Sequence, residues 1–119
     1  MINETQGHLL RIYVGEADRH DGKPLYQWII HRAREMGLAG ATALRGLAGF
    51  GASSRIHSAT ILRLSEDLPV VIEIVDRKEK LREFLKVIDS TVDEGLATIE
   101  QVQIHFYRSS SDGVGNKDA

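Results

Sequence analysis

Apolar and polar residues first alternate at His8–Val14, where HLLRIYV puts Leu10, Ile12 and Val14 on one side of an extended strand and Leu9, Arg11 and Tyr13 on the other. Gly15–Gly22 is a polar loop that ends in a turn signal, and Pro24 suits the first position of a helix. From there Leu25, Trp28, Ile29, Ala33 and Met36 recur at helical spacing up to a stop at Gly37. Ala41–Ala48 predicts a second strand, weakened by small residues and Gly46. It runs into Gly49-Phe50-Gly51, a polar stretch over Ala52–Ser58, and an extended segment at Ala59–Leu64. After the break at Ser65–Pro69, VVIEIV (Val70–Val75) is the strongest strand pattern in the chain. Asp76 is placed to cap a second helix whose buried stripe is Leu81, Phe84, Leu85, Ile88 and Val92. A last strand is predicted over Ile99–Tyr107, with Val102, Ile104 and Phe106 opposite Gln103, His105 and Tyr107. Residues 1–6 read as an N-terminal tail, 7–108 as one domain and 109–119 as a disordered tail.

The order β-α-β-β-α-β predicts an α+β fold of the ferredoxin-like kind. Two right-handed crossovers then place both helices on one face of a four-stranded antiparallel sheet. Val71 and Val75 of the third strand, with Leu9 and Tyr13 of the first, are apolar on the face without helices. A strand that is apolar on both sides expects cover on both sides, so an oligomer is expected, with further copies of the chain over the second face.

Composition narrows the function classes. The 119 residues carry 15 Lys and Arg against 17 Asp and Glu, a net charge of −2, which gives no bulk attraction to nucleic acid or an anionic membrane. Without cysteine there is no disulfide framework, thiolate metal site or cysteine nucleophile. Met1–Gln6 lacks a charged-then-apolar signal pattern, and no apolar run reaches the roughly 18–20 residues that span a bilayer. A cytoplasmic protein that does not insert into membranes is expected.

About twenty residues separate the second and third strands, far more than a hairpin needs. The connection opens on Arg45-Gly46-Leu47-Ala48-Gly49-Phe50-Gly51 and continues through Arg55 and His57. Glycines expose backbone N–H groups and permit unusual backbone angles, so this stretch can wrap an anion that arginines neutralise. Alternatively, Gly46, Gly49 and Gly51 bend a strand edge and Phe50 fills a gap. A second anion candidate is Lys23, beside the N-terminus of the first helix, which otherwise reads as a solvated lysine at a plain loop-to-helix junction. His8, His20, His31, His57 and His105 lack the helical pairing of zinc hydrolases, and no metal site is expected. Glu73 interrupts an apolar strand and reads as a salt-bridge or hydrogen-bond partner for a neighbouring subunit. No Ser or Thr is paired with a base at a recognisable spacing, so no catalytic residue is expected.

The stretch GEADRHDGKPLYQWIIHRAREMGLAGATALRGLAGFG, followed by SEDLPVVIEIVD, resembles the uncharacterised PII-like family called domain of unknown function 190 (DUF 190). The resemblance spans about residues 7–107. More distantly the chain is similar to PII nitrogen-signalling proteins, whose second strand also ends in a Gly-Phe-Gly turn. That similarity implies a ferredoxin-like trimer, effector nucleotide in inter-subunit clefts, and a long loop that docks onto transporters or enzymes. Gly49, Phe50 and Gly51 match the loop-base element, Arg45 lies just before it, and Arg55 and His57 fall within the counterpart of the docking loop. PII proteins hold ATP phosphates with a glycine- and lysine-rich loop before the last strand. Here Asp89–Thr98 is acidic and has no lysine, which argues against ATP held in that manner and leaves a less charged adenine nucleotide or another small ligand.

The expected function is a non-enzymatic PII-like regulator, a homotrimer that binds a small anionic or nucleotide effector. Its candidate ligand residues are Lys23, Arg45, Gly46, Gly49, Phe50 and Gly51, with Arg55 and His57 in the docking loop and a membrane transporter or enzyme as partner. No further cofactor, metal or nucleic acid is expected. The alternative is a trimeric divalent-metal protein similar to CutA, which would use His8, His57 or His105. An acylphosphatase-like enzyme is disfavoured, because Gly15-Glu16-Ala17-Asp18 is acidic where such enzymes cradle phosphate.

Overall fold

The alternation that begins at His8 is part of a longer strand, because the flanking residues also find partners. The structure, a computed structural model, describes residues 5–51 and 67–110. Strand β1 is Thr5–Gly15, and its first residues, Thr5 and Gln6, pair with Ile104 and Gln103. A two-residue-armed hairpin follows, β2 (Arg19–His20) against β3 (Lys23–Pro24). Its turn residues Asp21 and Gly22 both have positive φ, 53° and 78°, the geometry that Asp-Gly favours in tight hairpins. Helix α1 is Leu25–Glu35, so Pro24 stands at the cap just outside it rather than at its first position. The helix ends as Gly37 predicts. At φ +75° this glycine donates its N–H to the Arg34 carbonyl, while Leu38 donates to Ala33, a Schellman termination.

Strand β4 covers only Thr42–Arg45, four residues of the eight expected. Gly46 still donates to the Pro69 carbonyl at 2.7 Å, but pairing then stops as the chain crosses the Pro69 ring. A side chain at Gly46 would meet Pro69 Cγ at 2.8 Å. Strand β5 is Pro69–Asp76, helix α2 is Lys78–Ile88 and strand β6 is Leu96–Ile104. The last strand starts and stops three residues earlier than its alternation predicts. The expected extended segment Ala59–Leu64 and residues 111–119 of the expected tail lie outside the described residues.

Asp76 does not cap α2. The cap position is Arg77, with no side-chain hydrogen bond, and the Asp76 carboxylate accepts instead from the N–H groups of Ala39 at 2.9 Å and Arg77 at 2.7 Å. Lys80 Nζ donates to the Gly37 carbonyl at 2.6 Å and lies 4.0 Å from Asp76. The loop after α1 is thus clipped to the β5–α2 junction. Asp76→Ala is expected to lower stability by about 1–3 kcal/mol, since the Ala39 N–H loses a charged acceptor. The check is a urea melt read beside amide exchange at Ala39. Wild-type exchange at that amide would show the clip to be inert.

The sheet runs β4-β5-β1-β6 with every neighbouring pair antiparallel, which is the ferredoxin-like order. Leu10, Ile12 and Val14 of β1 and Val70, Ile72 and Ile74 of β5 are buried under the helices. They pack with Leu25, Ile29 and Ala33 of α1 and Leu81, Phe84 and Ile88 of α2. Within the helices the stripes match the residues expected, with Trp28 and Leu85 partly buried at the margins. Met36, however, is the cap after α1 and Val92 lies four residues beyond the end of α2, each packing on the core from outside its helix.

The opposite face is not uniformly apolar. Leu44, Val71, Tyr13 and Leu96 lie opposite one another across all four strands and form one apolar row. The next row is polar: Thr42, Glu73, Arg11 and Thr98. Beyond it lie Val75, Leu9 and Glu100, then Val102 and Ile104. Within the polar band Arg11 Nε donates to Glu73 at 3.1 Å and its Nη1 lies 3.6 Å from Glu100. Glu73 therefore finds its partner in its own chain, not only in a neighbour. Its hydrogen bond is the main reason the Arg11 guanidinium holds its proton above the ordinary arginine value.

Candidate functional site

Gly49, Phe50 and Gly51 emerge from the edge of the sheet and turn toward the end of β1. There they line a cleft of about 480 Å³ together with Tyr13, Val14, Gly15, Asp18, Asp67, Pro69, Glu94, Gly95 and Leu96. Two close approaches shape it. A side chain at Gly95 would place its Cβ 2.6 Å from the Tyr13 carbonyl oxygen, and one at Gly15 would meet the Asp67 carboxylate at 2.5 Å. Glycine at these positions lets the loop before β6, and the start of β5, close against β1. Asp67 accepts from the Ala17 N–H at 2.8 Å and Asp18 from the Gly15 N–H at 2.9 Å, so both carboxylates also hold the β1–β2 loop.

The cleft is acidic. Asp18, Asp67 and Glu94 line it, and no Lys, Arg or His is among the described residues that do. Arg45, expected to neutralise an anion here, instead points its Nε at the Glu16 carboxylate, 3.2 Å away. Gly46 lies beside Arg45, bonded to Pro69, and also does not line the cleft. Lys23 is exposed in the β2–β3 hairpin and borders neither this cleft nor the groove described next. Arg55 and His57 lie outside the described residues. The structure thus brings together Gly49, Phe50 and Gly51 of the expected set. It adds Asp67, Glu94 and Gly95, whose only trace in the chain is an acid beside a Leu-Pro break and an acid-glycine pair before the last strand.

A larger groove of about 830 Å³ occupies the other end of the open face. Leu9, Val75, Val102 and Ile104 form its floor, and His105, Phe106 and Tyr107 border it as the chain leaves β6. The Tyr107 hydroxyl donates to the Ala39 carbonyl at 2.5 Å, which ties the chain after β6 to the loop between α1 and β4. Nothing in the local pattern of the chain points to this groove. Its parts come from both ends of the domain, from Gln6 to Tyr107, and meet only through the sheet order. Among the described residues no three His, Cys, Asp or Glu side chains converge on a possible metal position. No described helix is long and apolar enough to cross a membrane.

Comparisons with known proteins agree with this architecture. The profile of the DUF190 family, described as an uncharacterized ACR, matches residues 7–104. A UPF0166 protein of Aquifex aeolicus is 42% identical over 98 residues, covering 82% of this chain and 92% of the relative. A UPF0166 protein of Methanocaldococcus jannaschii is 33% identical over 104 residues, covering 87% and 94%. Among solved structures, CPII from Thiomonas intermedia, bound to ADP and bicarbonate, superposes with a TM-score of 0.64 at 16% identity, covering 89% of this chain and 95% of that one. A PII-like protein from Thermus thermophilus gives 0.59 at 16% identity, covering 87% and 93%. Those superpositions establish a shared PII-like, ferredoxin-like fold, and the profile match with the sequence relatives places the chain in the DUF190 family.

Proposed function

We propose that this protein is a non-enzymatic regulator of the PII-like kind. In this reading it is a cytoplasmic homotrimer that binds a small anionic ligand, an adenine nucleotide of low phosphate charge, in the cleft at Gly49–Gly51. It reports occupancy to a partner protein, a membrane transporter or enzyme, through the chain between Gly51 and Asp67, which includes Arg55 and His57. One observation carries this reading: Gly51 and Asp67, the residues on either side of that segment, both line the cleft. A ligand there touches both anchors at once and favours whichever arrangement of the segment it fits, which is the differential affinity a switch requires.

Nucleotide as the ligand class is supported by CPII, which shares the fold and is bound to ADP and bicarbonate. The cleft volume falls within the range of small-molecule sites, and Phe50, 68% exposed, offers a ring to a base. Three carboxylates and no cation do not fit a triphosphate held by one chain alone, so the expected order of preference is AMP and ADP over ATP. Arg45 is itself more than half exposed, and its exchange from Glu16 to a ligand phosphate is the route by which it would contribute.

Thermal melts with AMP, ADP, ATP, bicarbonate and inorganic phosphate test the proposal. A ligand at a hundred times its Kd stabilises the native state by about 2.7 kcal/mol. Phe50→Ala is expected to reduce that shift and leave the unliganded melt within about 0.5 kcal/mol of wild type, since the ring packs on little else. If none of the five stabilises the wild-type protein, the nucleotide reading is wrong.

A further inference from the structure

The Arg45–Glu16 ion pair stands at the rim of the candidate cleft, and its two members are held differently. Glu16 belongs to the loop Gly15–Asp18, whose first and last residues line the cleft. Three successive N–H groups of that loop are bonded: Gly15 to the Asp18 carboxylate at 2.9 Å, Glu16 to the Leu68 carbonyl at 2.7 Å and Ala17 to Asp67 at 2.8 Å. The Asp18 carbonyl in turn accepts from Leu25, at the start of α1, at 2.8 Å. The Glu16 carboxylate is therefore carried on a fixed backbone. Arg45 ends β4, and its side chain is 58% exposed against 34% for Glu16. Glu16 is its one ionic partner among the described residues.

Arg45 starts close to the cleft wall. Gly46, the next residue, and Gly49 both lie against the Pro69 ring, with would-be Cβ positions 2.8 and 3.1 Å from its Cγ, and Pro69 lines the cleft. A phosphate held beside Gly49–Gly51 would compete with Glu16 for the guanidinium. That exchange is not neutral. When Arg45 turns to the ligand, the Glu16 carboxylate stays behind. The ligand then faces four carboxylates, Glu16 with Asp18, Asp67 and Glu94, against one guanidinium. A nucleoside without phosphate has nothing to draw Arg45 away. One or two phosphates replace the charge that Glu16 supplied. Each further negative charge meets the carboxylates with no second cation to offset it.

We propose that Glu16 sets how many phosphates the cleft accepts: it holds Arg45 until a phosphate replaces it, and then repels the excess charge of a longer phosphate chain. This rests on the nucleotide reading above and adds to it the residue that determines the order of preference. Glu16 does not itself line the cleft, so it acts through Arg45 and through its charge rather than by contact with the ligand.

Calorimetric titration of adenosine, AMP, ADP and ATP into the full chain, at low salt and without divalent cations, tests this. Glu16→Gln keeps the backbone bond to Leu68 and removes the charge. Its affinity for adenosine should equal that of wild type, AMP should bind about twofold more tightly and ATP about tenfold, so that the preference against ATP shrinks. Those gains should largely vanish at about 0.5 M salt. In an Arg45→Ala background the gain should be smaller, because no guanidinium remains to be released. Circular dichroism and melts without ligand check that each variant is folded. Glu16→Ala stands in should the glutamine hold Arg45 by a hydrogen bond of its own. No gain, a gain equal for adenosine and ATP, or one equal with and without Arg45 would overturn the inference, while AMP and ADP binding to wild type kept the nucleotide reading in place. Nucleotide binding that appears only in Glu16→Gln would support it. If neither wild type nor variant binds any of the four, both fall.

Discussion

Phe84→Ala is expected to cost about 3–5 kcal/mol, the largest stability loss available from a single side chain in this fold. Phe84 is fully buried on α2 and is the largest of the completely enclosed core residues. Its ring fills the space between that helix and the β1–β5 pair, where Leu10, Ile12, Ile72 and Ile74 are themselves in place and have little room to collapse inward. Truncation leaves both the lost transfer energy of the ring and a residual void. Domains of this size hold a total of about 5–15 kcal/mol, so the variant keeps only part of its margin and its melting temperature should fall by roughly 10 °C or more. Urea denaturation of wild type and variant gives the difference directly. A loss below about 1 kcal/mol would mean that α2 does not rest on the sheet as described.

Gly95→Ala is expected to damage both stability and the candidate cleft. The added methyl carbon would lie 2.6 Å from the Tyr13 carbonyl oxygen, a contact with backbone that no rotamer change relieves. Either the loop before β6 or the end of β1 must move, and overpacking of this kind costs about 1–3 kcal/mol. Glu94, Gly95 and Leu96 line the cleft with Tyr13, so the same displacement should abolish any nucleotide-dependent rise in melting temperature. Gly40→Ala is the control, because nothing lies within 4 Å of the position its Cβ would take, and it should melt close to wild type. If Gly95→Ala melts and binds like Gly40→Ala, the close approach of that loop to β1 is not part of the working structure.

Much of the architecture is legible in local pattern because it rests on local physics. The stripe Leu25-Ile29-Ala33 and the stripe Leu81-Phe84-Ile88 each repeat at the helical period, and both are buried as expected. The alternation of β1 and β5 likewise separates the core residues from the open face without knowledge of either partner strand. Boundaries were less legible. Thr5 and Gln6 carry no apolar signal and become strand only because Ile104 and Gln103 lie beside them. Strand β4 ends early because Gly46 must pass the Pro69 ring, a residue 23 positions later in the chain.

The candidate cleft was half legible. A Gly-Phe-Gly turn announces itself, since glycines mark a backbone that has to bend or approach something closely. The residues it approaches do not, and the arginine nearest to it in the chain is drawn off to Glu16. Asp76 shows the same limit from the other side. Its position before a helix is a good capping signal, yet the carboxylate serves Ala39, a residue brought close only when α1 packs over the sheet.

What the chain determines by itself is therefore periodic: the order of strands and helices, the two buried stripes, and the faces on which core residues fall. These follow from backbone geometry repeating every two or 3.6 residues, which each segment expresses alone. Tertiary structure decided where charges and concavities meet. It set Arg11 between Glu73 and Glu100, turned Arg45 away from the cleft, and placed an acidic cleft at one end of the sheet and a largely apolar groove at the other. Those outcomes depend on distances between residues far apart in the chain, and only the register of the completed sheet defines such distances.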